Sequence, residues 1–406
     1  MELNRREFLG GAAAFAAVGG GFPAFASEPR FAFDPAVCTI DPTRMDNPLY
    51  AGGVSCGVNL GFLAKRGYYA RPDVIGMADR MRATGVNTCI VNCSFCQEAY
   101  FSTKLFFDSV YSSGEDELAG IIRALKRNGI RVILKPNITV LDSSWMGRVS
   151  FPATNDRQIQ GVDKCATYRR DWFNSFRDAH ACYADLAARN GVDAILIGAE
   201  LSGVQWEVDE WHRTIEMIRK RYSGLLTYEF IYNMEPAGDD SKVPAYCEKV
   251  PFYDPLDFVS LSWYPRARPH VAPEKFAEQP VTSLDEMVAY LEPCRKKFDW
   301  KCDQYGGKPV LFTEIGTRSS HGCVSNPLDA FAKGAYDAQE QADYLEAVFR
   351  TFADKSHWMG LCWWKWDETQ VREHYDPDPK KDRGFWIDGK PAADVFRRWS
   401  EHAVAS

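Results

Sequence analysis

The sequence predicts an α/β fold of the (β/α)8 TIM-barrel class. From Gly53 onward, short apolar runs alternate with longer amphipathic stretches about eight times, as parallel strands joined by crossover helices do. The apolar runs are rich in β-branched and aromatic residues, as expected of strands covered on both faces. Several amphipathic stretches stop at a glycine with a strand close behind, at Gly85, Gly129 and Gly191, where a left-handed C-cap is wanted.

In chain order, the strands are predicted at 54–58, 88–93, 131–136, 194–198, 225–230, 258–263, 309–313 and 359–364. Helices are predicted between them at 72–83, 115–128, 170–190, 208–221, 283–298 and 337–353, and 391–402 closes the series. The fifth crossover, 233–257, holds too many Pro, Gly and Asp residues for one regular helix and reads as a long loop with a short helix. No fixed-period repeat or linker divides the chain, so residues 53–406 are expected to form a single barrel. A doubly wound open sheet would need a glycine-rich phosphate turn after an early strand. The segment Gly57-Val58-Asn59-Leu60-Gly61 lacks the third glycine and the immediate helix.

The 406 residues, 46% of them apolar, suffice to bury a substantial core. A formal charge of −7 offers no basic face for a polyanion, which argues against nucleic acid as a partner. The chain carries 12 Trp, several of them late and beside acidic residues. Sugar-binding clefts use that mixture, because a pyranose stacks its apolar face on indole while carboxylates bond its hydroxyls. A carbohydrate is therefore the expected partner, with no cofactor and no metal.

Residues 1–26 stand apart from the fold. Asn4-Arg5-Arg6-Glu7-Phe8-Leu9 precedes an Ala/Gly-rich apolar run, and Ala24-Phe25-Ala26 then supplies a small-residue cleavage site. The segment resembles a twin-arginine export signal, with 27–52 as an N-terminal extension of the mature protein. The apolar run is too short and glycine-rich to span a bilayer, and no later stretch reaches the roughly 20 apolar residues that a spanning helix needs. The expected location is the periplasm or the extracellular space, without stable membrane insertion. Twelve cysteines are scattered from Cys38 to Cys362 and imply no particular pairing.

In a barrel of this kind, reactive side chains sit where the strands end and the βα loops begin. The fourth strand runs into Ile197-Gly198-Ala199-Glu200-Leu201 and the seventh into Phe312-Thr313-Glu314-Ile315-Gly316. Either glutamate alone is explained by a surface ion pair or a helix first turn. Two of them at the ends of strands four and seven suggest opposed carboxyls, one attacking an anomeric carbon while the other protonates the leaving oxygen.

The chain resembles the clan A glycoside hydrolases and, within them, glycoside hydrolase family 113, whose members include β-mannanases. The resemblance spans about Gly53 to Trp366. It rests on Ile133-Leu134-Lys135-Pro136-Asn137, Ile197-Gly198-Ala199-Glu200-Leu201, Trp263-Tyr264-Pro265, Pro309-Val310-Leu311-Phe312-Thr313-Glu314-Ile315-Gly316 and Trp363-Trp364. It implies a retaining hydrolase of β-linked glycans, with Glu200 as acid/base, Glu314 as nucleophile, Tyr264 as hydrogen-bond partner of the nucleophile and Trp364 as stacking platform. Lys135 and Asn137 would line the pocket at the third strand end. Trp363 and Trp364 are adjacent on a strand and face opposite ways, so one of them at most points into the barrel mouth. Trp206, Trp366 and Glu368 fall on loops of the same face, where flanking sugars would bind. The chain departs from the clan pattern at Ala199, where clan A enzymes commonly place an asparagine on the sugar 2-hydroxyl. This implies a different sugar or a substitute donor.

Two rival functions have their own sequence features. Cys89, Cys93 and Cys96 carry a Cys-x3-Cys-x2-Cys spacing that resembles radical S-adenosylmethionine enzymes, yet 88–93 reads as a buried strand, which cannot wrap a cluster. A non-catalytic carbohydrate-binding barrel would be expected to have lost one glutamate, and both are present.

Overall fold

The computed structural model describes Leu49 and residues 54–151, 158–159, 162–232, 249–329, 334–370, 372 and 375–402. The export signal expected at 1–26, all of the expected 27–52 extension except Leu49, and most of the fifth crossover lie outside the described residues.

Eight parallel strands close into a barrel: β1 Ser55–Leu60, β2 Thr88–Gln97, β3 Arg131–Val140, β4 Ala194–Ala199, β5 Leu225–Ile231, β6 Val259–Ser262, β7 Val310–Ile315 and β8 Trp358–Trp363. Each strand pairs with its neighbours in sequence, and β1 meets β8 with Ser55 opposite Gly360. The major helices are α1 Met77–Ala83, α2 Glu115–Arg127, α3 Lys164–Asn190, α4 Val208–Arg219, α5 Leu284–Gln304, α6 Ala338–Phe352 and α7 Pro391–His402. The (β/α)8 class is therefore as predicted. Gly85, Gly129 and Gly191 all take positive φ, at 83°, 69° and 64°, the C-cap conformation that excludes most side chains.

Several boundaries differ. The helix predicted over 72–83 is broken at Gly76 into Pro72–Ile75 and α1. The helix predicted from Arg170 begins at Lys164, and α5 continues through Pro293 to Gln304. Strands β2 and β3 run four residues past their predicted ends, paired in register from Thr88 opposite Arg131 to Gln97 opposite Val140. Above the barrel rim they form a two-stranded ribbon, whose outer edge is held by the antiparallel bridge of Cys96 to Phe106.

Alternation along the strands sorts the core into two shells. Ile90, Ile133, Leu196, Leu311 and Met359 fill the barrel interior, together with Leu49. The opposite parity, including Val132, Leu134, Ile195, Ile197 and Tyr228, packs outward with Trp172, Trp211 and Phe352 in the larger cluster. Lys135 and Asn137 follow Ile133 at intervals of two, and Glu229 follows Thr227 in the same way. The inward face of the barrel thus turns from apolar to ionic on approaching the mouth.

Candidate active site at the barrel mouth

The floor of the mouth is an ionic cluster. Lys135 on β3 is 1% exposed; its Nζ donates to Glu229 Oε1 at 2.6 Å and to Glu314 Oε1. Glu229, inside β5, is wholly buried. Glu314, near the end of β7, also accepts from the Tyr264 hydroxyl at 3.2 Å through its other carboxylate oxygen. Glu200 follows β4 with φ 53°, a left-handed conformation uncommon for a residue with a side chain and concentrated at functional sites. Its backbone N–H donates to the Glu229 carbonyl at 2.9 Å, and its Oε2 accepts from Trp145 Nε1 at 3.0 Å. One carboxylate oxygen from each of Glu200, Glu229 and Glu314 lies within 4.8 Å of the others.

This crowding sets the charges. Burial, and then the Glu314 carboxylate, push the Glu200 pKa above its ordinary value; Lys135 and hydrogen bonds from Trp145 and Ser262 oppose the shift without cancelling it. Burial pulls the Lys135 ammonium down, but Glu229 and Glu314 outweigh it, so the group is held charged. Burial raises the Glu229 carboxyl as well, against Lys135 and with help from Glu314 and Glu200. Burial and the Glu314 charge raise the Tyr264 phenol, which stays a donor. The result is one carboxyl inclined to hold a proton facing another supplied with two donors.

Above this floor opens a cleft of about 950 Å3, lined among others by Asn137, Trp145, Glu200, Tyr264, Glu314 and Trp364, a size suited to a small ligand or several sugar units. Trp364 meets Phe62 edge-on at 4.7 Å, and its ring centroid is 5.7 Å from Lys135 Nζ. Trp363 points away, buried, with its Nε1 donating to the Phe385 carbonyl at 2.8 Å. Asn137 donates to Asn92 Oδ1 at 2.8 Å, while its own buried Oδ1 has no hydrogen-bond partner among the described residues.

Of the residues singled out in sequence, Glu200, Glu314, Tyr264, Asn137 and Trp364 meet at this cleft. Lys135 reaches the same cluster but lies beneath Glu314 rather than along the cleft wall. Trp206 sits in the turn before α4, 44% exposed and away from the cleft lining, and Trp366 is buried. Glu368 lines the cleft and accepts from Lys365 at 2.8 Å. Sequence reasoning missed Glu229 and Trp145. Glu229 carried a signal, since a charged residue inside a strand buried on both faces demands a partner. Trp145 was visible only as one more aromatic in a loop of the C-terminal face.

Among the described residues, two groups of side chains have the composition of a metal site. In the first, Glu200, Glu229 and Glu314, the chain's own Lys135 ammonium already bridges two of the carboxylates. In the second, His321, Asp337 and Glu340, the imidazole contacts Asp337 Oδ2 at 3.3 Å and the Gln279 carbonyl at 2.8 Å, while Glu340 Oε2 accepts from the Gly322 N–H at 2.6 Å. Both ring nitrogens are thus engaged, Nδ1 with the residue that caps α6 and Nε2 with the backbone at Gln279. Cys89, Cys93 and Cys96 all lie in β2 and are buried, with Cys96 on the opposite face from the other two, so they do not converge on one cluster. Nine described cysteines stand outside any disulfide. No helix among the described residues is long and apolar enough to cross a membrane.

The sequence pattern of Glycoside Hydrolase Family 113 matches residues 58–390. A solved GH113 beta-1,4-mannanase in complex form shares 25% identity and a TM-score of 0.64, over 86% of this chain and 99% of that one. The GH113 beta-mannanase of Alicyclobacillus acidocaldarius, at 23% identity, has a TM-score of 0.66 over 87% and 98% of the two chains. A Glycoside Hydrolase Family 5 mannosidase from Rhizomucor miehei shares the fold, with 13% identity and a TM-score of 0.53 over 87% and 94%. No curated protein matches the chain in sequence.

Proposed function

This chain belongs to Glycoside Hydrolase Family 113 and is a glycoside hydrolase, and from that premise we propose that it cleaves β-linked mannan-type glycans by double displacement with retention of configuration. The observation that carries the proposal is the pair of carboxyls at the ends of β4 and β7, with oxygens of Glu200 and Glu314 within 4.8 Å. Retaining enzymes place their two carboxyls about 5–5.5 Å apart, leaving no room for a water between nucleophile and sugar.

In this reading the Glu314 carboxylate attacks the anomeric carbon while the glycosidic C–O bond breaks. The leaving oxygen takes the proton from Glu200, whose raised pKa keeps it supplied. Glu200, now ionised, then takes a proton from water as that water attacks the glycosyl ester, and the Glu314 carboxylate is regenerated. Tyr264 holds Glu314 in line, and Trp364 offers an indole face to the sugar. Ala199 provides no side-chain donor; Asn137, whose amide lines the cleft, is the available substitute.

The substrate class is supported by the 25% identical GH113 beta-1,4-mannanase, of which the chain covers 99%. Its test is hydrolysis of β-1,4-linked manno-oligosaccharides beside cello-oligosaccharides of equal length. Mannosyl chains are expected to be cut at least about tenfold faster, the discrimination that roughly 1.4 kcal/mol of differential transition-state binding gives. Preference for the cello series contradicts the substrate assignment. The Arg5-Arg6 motif and the Ala24-Phe25-Ala26 site support export by the twin-arginine route as the means by which the enzyme reaches a polymeric substrate.

A further inference from the structure

We propose that Glu229 is a positioning residue of the reaction: it anchors the Lys135 ammonium beneath the nucleophile and becomes that ammonium's remaining carboxylate partner once Glu314 is esterified. The inference rests on the reading of Glu314 as nucleophile and Glu200 as acid/base.

In the resting enzyme the second carboxylate is redundant. Lys135 and Glu314 alone would form a neutral buried pair. Adding Glu229, wholly buried and 2.6 Å from the same Nζ, places a second acid where burial and the Glu314 charge disfavour its ionised form and only the Lys135 ammonium favours it. Its Oε2 has no hydrogen-bond partner among the described residues. Such a group adds no stability by itself.

The redundancy disappears during turnover. Glu314 uses an electron pair to bond the anomeric carbon, the glycosidic bond breaks, and the leaving oxygen takes the Glu200 proton. The net charge of the site is unchanged, but the negative charge has moved from Glu314 to Glu200. Lys135 contacts Glu229 and Glu314 and not Glu200, and at 1% exposure it has no water to turn to. Without Glu229 the esterified state would contain a buried ammonium with no carboxylate in contact, and that penalty would raise the barrier to esterification. With Glu229, compensation is in place before the charge moves, which is the preorganisation that makes electrostatic groups effective in catalysis. Glu229 also shares Lys135 with Glu314, so the nucleophile is spared an exclusive ion pair that would lower its reactivity.

The test is inactivation by 2,4-dinitrophenyl 2-deoxy-2-fluoro-β-mannoside, whose leaving group needs little protonation, so that the rate reports attack by the nucleophile. Mass spectrometry of the wild-type enzyme should locate the label on Glu314. In Glu229→Gln the labelling rate should fall about 100-fold, the scale for loss of one preorganised electrostatic group. In Lys135→Met the rate should fall as well, and adding Glu229→Gln to that variant should recover part of it, because each partner is costly to bury without the other. Should Glu229→Gln fail to fold, Glu229→Asp, which keeps the charge on a shorter arm, should still label more slowly than wild type. A label elsewhere than Glu314 overturns the nucleophile assignment and this inference with it. A label on Glu314 at the wild-type rate in the Glu229 variant, or no recovery of rate in the double variant, overturns this inference alone.

Discussion

Glu314→Ala is expected to lower kcat by about 10^4- to 10^6-fold on every glycoside, because no other group can form the glycosyl ester. The scaffold should survive the change. Lys135 keeps Glu229 as a carboxylate partner at 2.6 Å, and Tyr264 loses only a hydrogen bond at 3.2 Å on a half-buried side chain. The space vacated by the carboxylate lies on the substrate's nucleophile side. External azide should enter there, attack an activated aryl glycoside directly and give a glycosyl azide of inverted configuration. The check is kcat with and without azide, with the anomeric form of the azide read by proton NMR. Loss of less than about tenfold would place the nucleophile elsewhere.

Glu200→Ala is expected to behave differently, according to how much each substrate needs a proton. On an unactivated glycoside kcat should fall about 10^2- to 10^4-fold, the usual worth of a general acid/base. On a dinitrophenyl glycoside the first step should survive, and the glycosyl ester should accumulate because no base activates water. Azide should then restore turnover with retained configuration. The wild-type pH profile carries the same information. Burial and the Glu314 charge hold Glu200 above the ordinary carboxylate pKa, so the protonated, active form persists to higher pH than a solvated glutamate allows. Activity should fall as pH rises through that raised value. In Glu200→Ala, assayed on the activated substrate, this basic limb should vanish. A limb that persists there belongs to another group.

The scaffold was legible because the barrel repeats one pattern eight times, and burial on both faces leaves a strand such as β4, Ala194-Ile195-Leu196-Ile197-Gly198-Ala199, with no polar alternation to confuse it. What sequence reasoning misjudged were ends. The ribbon of β2 and β3 runs to Gln97 and Val140 because each strand supplies the other's hydrogen bonds above the rim, a pairing that no single-strand pattern reveals. Glu200 and Glu314 could be found because they directly follow apolar runs. Glu229 was hidden inside one, and its meaning depends on Lys135, 94 residues earlier in the chain. The family resemblance put Lys135 in the pocket lining at the third strand end. Its parity with Ile133 instead directs it inward, under the nucleophile. Trp206 was expected on the substrate side by its loop alone, and only the path of the turn before α4 shows that it faces elsewhere.

The central claim is that Glu200 and Glu314 act on opposite sides of one anomeric centre with no water between them. Proton NMR during the first minutes of hydrolysis of an aryl β-mannoside, before mutarotation, tests it most directly. The first-formed sugar should be the β-anomer, giving way to the equilibrium mixture only later. First appearance of the α-anomer would mean that water attacks directly, and would contradict the assignment of Glu314 as nucleophile.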